Sequence, residues 1–209
     1  MKPIFPDLWQ SPTEHPFGNR TTTHAYLLLQ PGGNVLFYGM SADDDDLEQI
    51  EQLGGISRQY LSHRHEAGRG LAIIKKRFGS LLCCHQLDTH SVRSACPVDL
   101  EVSQQEIHLG NIEIISTPGH TEGSLCFVVA SSTGRKYLFT GDSIYADDND
   151  WGTYVSRGQR KTLAKSLELL RDVQPDVVMS SASVGPNAVC EMVPGQWENI
   201  IDATILSLT

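Results

Sequence analysis

Short apolar runs separated by turns fill the first part of the chain. Residues 24–29 and 35–38 are two such runs, and they flank the Pro-Gly-Gly-Asn segment at residues 31–34. A cluster of turn-forming residues between two short apolar runs is typical of a β-hairpin. We therefore predict that the two runs pair as antiparallel strands.

Helical periodicity follows directly after this hairpin. Residues 43–53 open with four aspartates, carry Leu47, Ile50 and Leu53 at helical spacing, and stop at two glycines. Acidic residues are favoured at the start of a helix. The segment lacks the glycine and the distal glutamate of a calcium-binding loop, so we interpret the aspartates as a helix start and not as a calcium site. Similar apolar stripes predict helices over residues 71–78, 163–170 and 197–205.

Further strands are predicted where apolar runs are short and bounded by turns. These runs are residues 80–84, 106–109, 112–115, 125–130, 136–139 and 177–179. Two groups of strands, each flanked by helices, indicate two sheets packed face to face with helices outside. The sequence therefore predicts a single α/β domain of four layers over residues 1–209.

Charge and composition exclude several classes of partner. The chain has 16 Lys and Arg against 25 Asp and Glu, and the net charge of -9 disfavours nucleic acid and anionic membranes. No apolar run approaches the roughly 18 residues of a membrane span, and residues 1–6 lack the apolar core of a signal peptide. We therefore expect a cytoplasmic protein whose five cysteines, which form no Cys-x-x-Cys pair, are reduced thiols.

Three segments place a metal-binding or acidic side chain just beyond a predicted strand. His63 and His65 stand two positions apart, so on an extended chain their imidazoles point to the same side. His120 follows a Pro-Gly turn, and Asp142 follows the strand of residues 136–139 and a glycine. These four residues are the candidates for a metal site.

The order of these segments resembles a known pattern. His-x-His, then Thr-Pro-Gly-His-Thr-x-Gly-Ser, then Leu-Phe-Thr-Gly-Asp is similar to the metallo-β-lactamase superfamily, over about residues 19–185. The resemblance implies a four-layer αββα sandwich that binds one or two metal ions along one edge.

The departures from the family pattern are also informative. The family's first motif is His-x-His-x-Asp-His, but Ala67 and Gly68 stand at its last two positions, and Ala182 stands where a later histidine is expected. In the family these three positions bind the second metal ion. The resemblance therefore implies one retained site, formed by His63, His65 and His120 with Asp142 as the bridging carboxylate, and one lost site.

Two metals suit this ligand set. Three imidazoles with an open fourth position are typical of catalytic zinc, which lowers the pKa of a water ligand to about 7. The resemblance leaves Asp142 as the carboxylate able to accept a proton, and thus as the candidate catalytic residue. His63, His120 and Asp142 also resemble the two-histidine, one-carboxylate set of the Fe(II) persulfide dioxygenases of the same superfamily.

Three functions remain open at this point. The favoured one is a hydrolase with a single metal ion, zinc before iron, acting on a small ester, thioester or lactone. The alternatives are a non-catalytic relative that binds a ligand or partner in the cleft that forms the active site in the family, and an Fe(II) oxygenase. The sequence assigns neither the substrate nor the oligomeric state.

Three other side chains have two interpretations each. Glu66 is one position out of phase with the family motif and reaches the site only if its loop is rearranged. His24 either supports the site or its substrate, or is an ordinary residue on a strand face. Arg157 either holds an anionic substrate or lies in solvent.

Overall fold

A computed structural model describes residues 1–148, 150–185 and 188–209. In spatial order, the strands of the first sheet are β1 (Lys2–Phe5), β2 (Leu8–Gln10), β4 (Tyr26–Leu28), β5 (Val35–Phe37), β6 (Arg58–Tyr60), β7 (Leu81–His85) and β8 (Leu100–Val102). The strands of the second sheet are β17 (Val189–Glu191), β15 (Val177–Ser180), β12 (Lys136–Gly141), β11 (Leu125–Ala130), β10 (Ile112–Ser116) and β9 (Glu106–His108). A small third sheet contains β14 (Asp150–Gly152), β13 (Tyr145–Asp147), β16 (Ala182–Val184) and β3 (Thr21–Thr23).

The helices lie between these strands in the chain. The α-helices are α1 (Asp44–Gln52), α2 (Arg69–Phe78), α3 (Thr89–Val92), α4 (Arg160–Leu170) and α5 (Gln196–Leu208). Short 3-10 turns occupy Arg64–Glu66, Arg157–Gln159 and Arg171–Val173. The four predicted helices are therefore confirmed as α1, α2, α4 and α5, whereas the four-residue α3 was not predicted.

The predicted hairpin is formed by β4 and β5, which pair antiparallel with Tyr26 opposite Phe37 and Leu28 opposite Val35. The pairing becomes parallel from β5 through β6 and β7 to β8. In the second sheet β12 and β15 are also parallel. Strands of the third sheet were not predicted, because each has only three residues, and β16 pairs with β3 and β13, which are distant in sequence.

Aromatic side chains fill the space between the two large sheets. Phe37 and Tyr60 of the first sheet meet Phe127 and Phe139 of the second, and all four are fully buried. The rings of Phe37 and Phe139 stack with their centroids 4.0 Å apart. Each such side chain contributes about 1.5–3 kcal/mol when it is removed from water, so this layer is the main core.

Helices cover the outer face of each large sheet. Leu163 and Leu167 of α4 pack with Ile201 of α5 in a cluster that includes Leu138 of β12. On the other side, Leu71 of α2 belongs to a cluster that contains β7 residues. The layers are thus helix, sheet, sheet and helix, which confirms the predicted αββα sandwich.

Most of the cysteines lie in the packed interior of these layers. Four of them are buried without a disulfide, namely Cys83, Cys84, Cys96 and Cys126. Burial raises the pKa of each of these four thiols, so they stay protonated. In the described part of the chain, no helix combines the length and the apolar character that a membrane crossing requires.

Candidate metal centre

The three histidines that the sequence singles out meet at one edge of the sandwich. His63 and His65 follow β6 in the first sheet, and His120 follows β10 in the second. Their candidate ligand nitrogens all lie within 4.8 Å of one another, and Nδ1 of His65 is 3.0 Å from Nε2 of His120. The two sheets therefore contribute to a single imidazole cluster.

Asp142 lies beside this cluster. Its Oδ2 atom is 3.4 Å from Nε2 of His63 and 3.6 Å from Nε2 of His120. Its Oδ1 atom accepts a hydrogen bond of 3.1 Å from the backbone N–H of Ala182. Oδ2 of Asp142 thus faces two imidazoles, and the hydrogen bond to Oδ1 fixes the orientation of the carboxylate.

The turn before Asp142 depends on a glycine. Gly141 has a φ of 55°, a left-handed conformation that disfavours side chains, and a Cβ atom there would overlap Oγ of Ser62. The Gly141 N–H donates to the hydroxyl of Tyr38 over 2.9 Å, and that hydroxyl donates to the Met179 carbonyl over 3.0 Å. The buried Tyr38 therefore ties the end of β12 to β15 beneath the site.

Glu66 lies behind His63. Its Oε1 atom is 3.2 Å from Nδ1 of His63, which is also 2.9 Å from the hydroxyl of Ser62. The backbone N–H of Ser62 donates to Oε2 of Glu66 over 2.9 Å. Glu66 therefore contacts the opposite ring nitrogen from the one that faces Asp142, and it orients His63 without joining the open side of the cluster.

His120 is oriented by a main-chain group. Its Nδ1 atom is 2.7 Å from the carbonyl oxygen of Tyr154, so this nitrogen must carry the hydrogen and donate. The Nε2 lone pair is then free to face the cluster. A carbonyl has no signature in the sequence, so this contact could not be predicted.

Without a metal ion, the cluster carries its positive charge on His63. Burial lowers the pKa of the His63 imidazole, but the carboxylates of Asp142 and Glu66 outweigh burial and raise this pKa to about 9. The pKa values of His65 and His120 are lowered, because burial and the charge on His63 both disfavour a second proton. Two of the three imidazoles are thus neutral near pH 7.

This donor set fits a metal ion. Neutral imidazoles are zinc ligands, and a carboxylate or carbonyl on the second ring nitrogen is the usual way to orient such a ligand. His63 and His120 both have that support, from Glu66 and from Tyr154. His63, His65 and His120 would hold the ion, with Asp142 adjacent to it.

Two cavities open next to the cluster. The first, of about 390 Å³, is lined by His65, His120 and Asp142 together with largely apolar or aromatic residues. The second, of about 590 Å³, lies beside Glu66 and Arg69. The first cavity is also lined by Phe17, Thr21, Tyr145, Tyr154, Ala182, Ser183 and Val184.

The residues to which the sequence resemblance assigns the lost second site lie around the second cavity. Ala67, Gly68 and Ala182 all line it, and Ala182 also lines the first. The structure thus places three small residues beside the histidines at this cavity.

Other candidates from the sequence lie elsewhere. His24 is buried with Nε2 3.0 Å from the Thr13 hydroxyl, and it is not part of the lining of either cavity. Arg157 is exposed in its 3-10 turn and likewise lines neither cavity.

Asp88 is a candidate that the sequence pattern did not identify. It is fully buried and contacts both histidine-bearing loops. A signal was present, because Asp88 follows the end of β7, the parallel neighbour of β6, just as Asp142 follows β12.

Comparison with solved structures finds metallo-β-lactamases. The enzyme from Pontibacter korlensis has a TM-score of 0.74 and 17% identity, covering 99% of this chain and 97% of its own. A Cronobacter sakazakii metallo-β-lactamase described by a HARLDQ motif has a TM-score of 0.68 and 19% identity, covering 98% and 90%. A metallo-β-lactamase family protein from Thermus thermophilus has a TM-score of 0.68 and 18% identity, covering 98% and 80%.

Sequence comparison gives no further support. No protein-family model and no curated protein matches the chain. At identities below 20% the structural likeness establishes the fold, and the site must be judged on its own residues.

Proposed function

Since the chain has the metallo-β-lactamase fold, we propose that it is a hydrolase that uses one metal ion to cleave small, uncharged esters, thioesters or lactones. One observation carries the proposal: three histidines and one carboxylate converge beside a cavity large enough for a small molecule. Zinc is the favoured ion, because three imidazoles with an open position suit it.

The ion would supply Lewis-acid chemistry, polarising the substrate carbonyl and making water acidic enough to ionise near neutral pH. The protein supplies the remaining functions. Oδ2 of Asp142, beside His63 and His120, is placed to accept a proton from the attacking water and to return it to the leaving group. The bond from the Ala182 N–H keeps Asp142 in that orientation.

The first cavity supports uncharged substrates. Among the described residues that line it there is no lysine or arginine that would attract a carboxylate or phosphate. Phe17, Tyr145, Tyr154 and Val184 instead offer apolar surface next to the histidines. An acyl or alcohol group that is apolar would leave water at this surface, with its carbonyl directed to His65 and His120.

A second candidate function is supported by the position of Asp142. Its Oδ2 atom is near Nε2 of both His63 and His120, and two histidines with one carboxylate suit mononuclear Fe(II). An iron-dependent oxygenase would consume dioxygen with a persulfide, whereas the hydrolase would need no oxidant.

The test is hydrolysis of a panel of neutral chromogenic esters, thioesters and lactones by protein loaded with one equivalent of zinc or Fe(II). Asp142→Asn is expected to lower kcat/KM by about 10²-fold or more. Asp172→Asn, at a side chain that is 91% exposed, is the matched control and should leave kcat/KM unchanged. No turnover of any class by zinc-loaded protein would contradict the hydrolase and favour the ligand-binding alternative, and dioxygen uptake confined to iron-loaded protein would favour the oxygenase.

A further inference from the structure

Asp88 is a fully buried carboxylate at the edge of the sandwich that carries the histidines. It lies between β7 and α3, and α3 begins at the next residue. An aspartate in this position usually accepts a hydrogen bond from the first turn of its helix. The Asp88 side chain makes no such bond, so its burial needs another explanation.

The carboxylate contacts two loops instead. Oδ2 accepts a hydrogen bond of 2.9 Å from the backbone N–H of Arg64 and another of 3.0 Å from the hydroxyl of Thr121. Oδ1 lies 3.0 Å from Nε of Arg64 and forms an ion pair with that guanidinium. Gly123 makes room for this arrangement, because a Cβ atom there would stand 2.6 Å from Cγ of Asp88.

Each partner is next to a histidine of the cluster. Arg64 stands between His63 and His65, in the loop after β6 of the first sheet. Thr121 follows His120, in the loop after β10 of the second sheet. One carboxylate oxygen therefore binds both loops at once.

We propose that Asp88 is a positioning residue that sets the spacing between His65 and His120 and thereby the affinity of the cluster for a metal ion. Asp88 touches neither the histidines nor the cavity lining described above, so it acts through Arg64 and Thr121. The inference rests on the proposed function, because it takes the cluster to be a metal site.

The physical reason is the cost of separating the partners. A buried carboxylate in a medium of low polarity is stable only while it is paired and hydrogen-bonded, so the two loops are held where both can reach Asp88. If Oδ2 no longer accepts a hydrogen bond from Thr121, Asp88 no longer links the loop of His120 to the loop of His65. The distance of 3.0 Å between His65 Nδ1 and His120 Nε2 would then vary.

The test compares zinc affinity, by calorimetry or chelator competition, in wild-type protein and in Asp88→Asn, Thr121→Val and Thr121→Ser. Asp88→Asn replaces an accepting oxygen with an NH₂ donor and removes the charge that faces Arg64. Thr121→Val keeps the shape of the side chain but removes its hydroxyl, and Thr121→Ser restores the hydroxyl. Binding of Co²⁺ gives a second readout, since its absorption spectrum reports the coordination geometry directly.

Asp7→Asn is the matched control. Asp7 is also a buried carboxylate that accepts from hydroxyls, those of Tyr137 and Ser131, but it lies at the opposite end of the sandwich, near the turn between β11 and β12. Its replacement should lower stability in a similar way and leave the zinc affinity and the Co²⁺ spectrum unchanged.

The expected result is a zinc Kd raised roughly 10–100-fold by Asp88→Asn and Thr121→Val, with an altered Co²⁺ spectrum and recovery in Thr121→Ser. Wild-type affinity and spectrum in both variants would overturn the positioning role alone. An equal loss of affinity in Asp7→Asn would also overturn it, since the effect would then be one of stability. Absence of histidine-dependent zinc binding in the wild-type protein would overturn the proposed function, and this inference with it.

Discussion

Nδ1 of His65 lies 3.0 Å from Nε2 of His120, although the two residues are 55 positions apart and belong to loops of different sheets. Two imidazoles at this distance share one hydrogen or bind one ion. The pKa values of both are lowered by burial and by the charge on His63, which keeps their lone pairs available. The contact between the two sheets is therefore also the contact on which the metal site depends.

Glu66→Gln should lower the pKa of His63 in metal-free protein. The Asp142 and Glu66 carboxylates together raise this pKa to about 9, and the Gln variant keeps a side chain of similar size without the negative charge. The pKa is read from the pH dependence of the His63 imidazole resonances in NMR spectra. Glu113→Gln, at a partly exposed glutamate on β10, is the control, and an unchanged His63 pKa in Glu66→Gln would contradict the assignment of Glu66.

The buried His24 should make the protein less stable in mild acid. Its pKa is lowered to about 4, mainly by burial and further by Lys2 and His15, whereas an unfolded histidine titrates near 6.5. As the pH falls from about 6.5 toward 4, the unfolded chain takes up a proton that the folded chain does not, so the free energy of unfolding decreases.

Between pH 7 and pH 5 this linkage amounts to roughly 2 kcal/mol. Urea unfolding at the two pH values should therefore show a smaller decrease in His24→Gln than in wild-type protein. His90→Gln, at an exposed histidine, serves as the control. Equal pH dependence in His24→Gln and wild type would show that His24 does not titrate as described.

Val184→Phe should restrict the substrate without affecting the metal. Val184 lines the first cavity and is not among the clustered histidines. The larger ring takes space from the cavity, so kcat/KM for substrates with a bulky apolar group is expected to fall by roughly 10–200-fold.

Zinc affinity should be unchanged in the same variant. Val193→Phe, at a residue that is 66% exposed, makes the same chemical change away from the cavity. If Val184→Phe hydrolyses large and small substrates as wild-type protein does, the first cavity is not the substrate site.

Phe37→Ala should lower the free energy of unfolding by about 3–5 kcal/mol. Phe37 is fully buried between the large sheets and stacks on Phe139, so the change removes apolar contact and leaves a cavity. Urea denaturation measures the effect. Leu206→Ala, at a residue that is 75% exposed on α5, should change stability by less than about 0.5 kcal/mol, and equal effects of the two variants would contradict the assigned core.

The sequence predicts the elements that have strong periodicity. The β4–β5 hairpin, the acidic start of α1 and the leucine stripe of α4 are local patterns, and the structure confirms them. The third sheet has no such pattern. Its β16 pairs with β3 through Ser183 opposite Thr22, a contact of polar residues far apart in the chain.

The candidate site likewise has residues that the sequence identifies and contacts that it does not. His63, His65 and His120 are identified by residue type and by the resemblance of their motifs, and the structure brings them together. Glu66 is one position out of phase with the motif and was expected to reach the site only if its loop is rearranged. Its contact with Nδ1 of His63 depends on how the 3-10 turn folds. The contacts of Asp88 depend on the approach of two sheets, which no local pattern describes.

The proposed function requires that the histidine cluster holds one metal ion. The most direct measurement is elemental analysis by mass spectrometry of tag-free protein purified without chelator and supplied with zinc, beside the double variant His63→Ala and His120→Ala. We expect about one equivalent of metal in wild-type protein and its loss in the double variant. Equal metal content in the two proteins, or none in either, would contradict it.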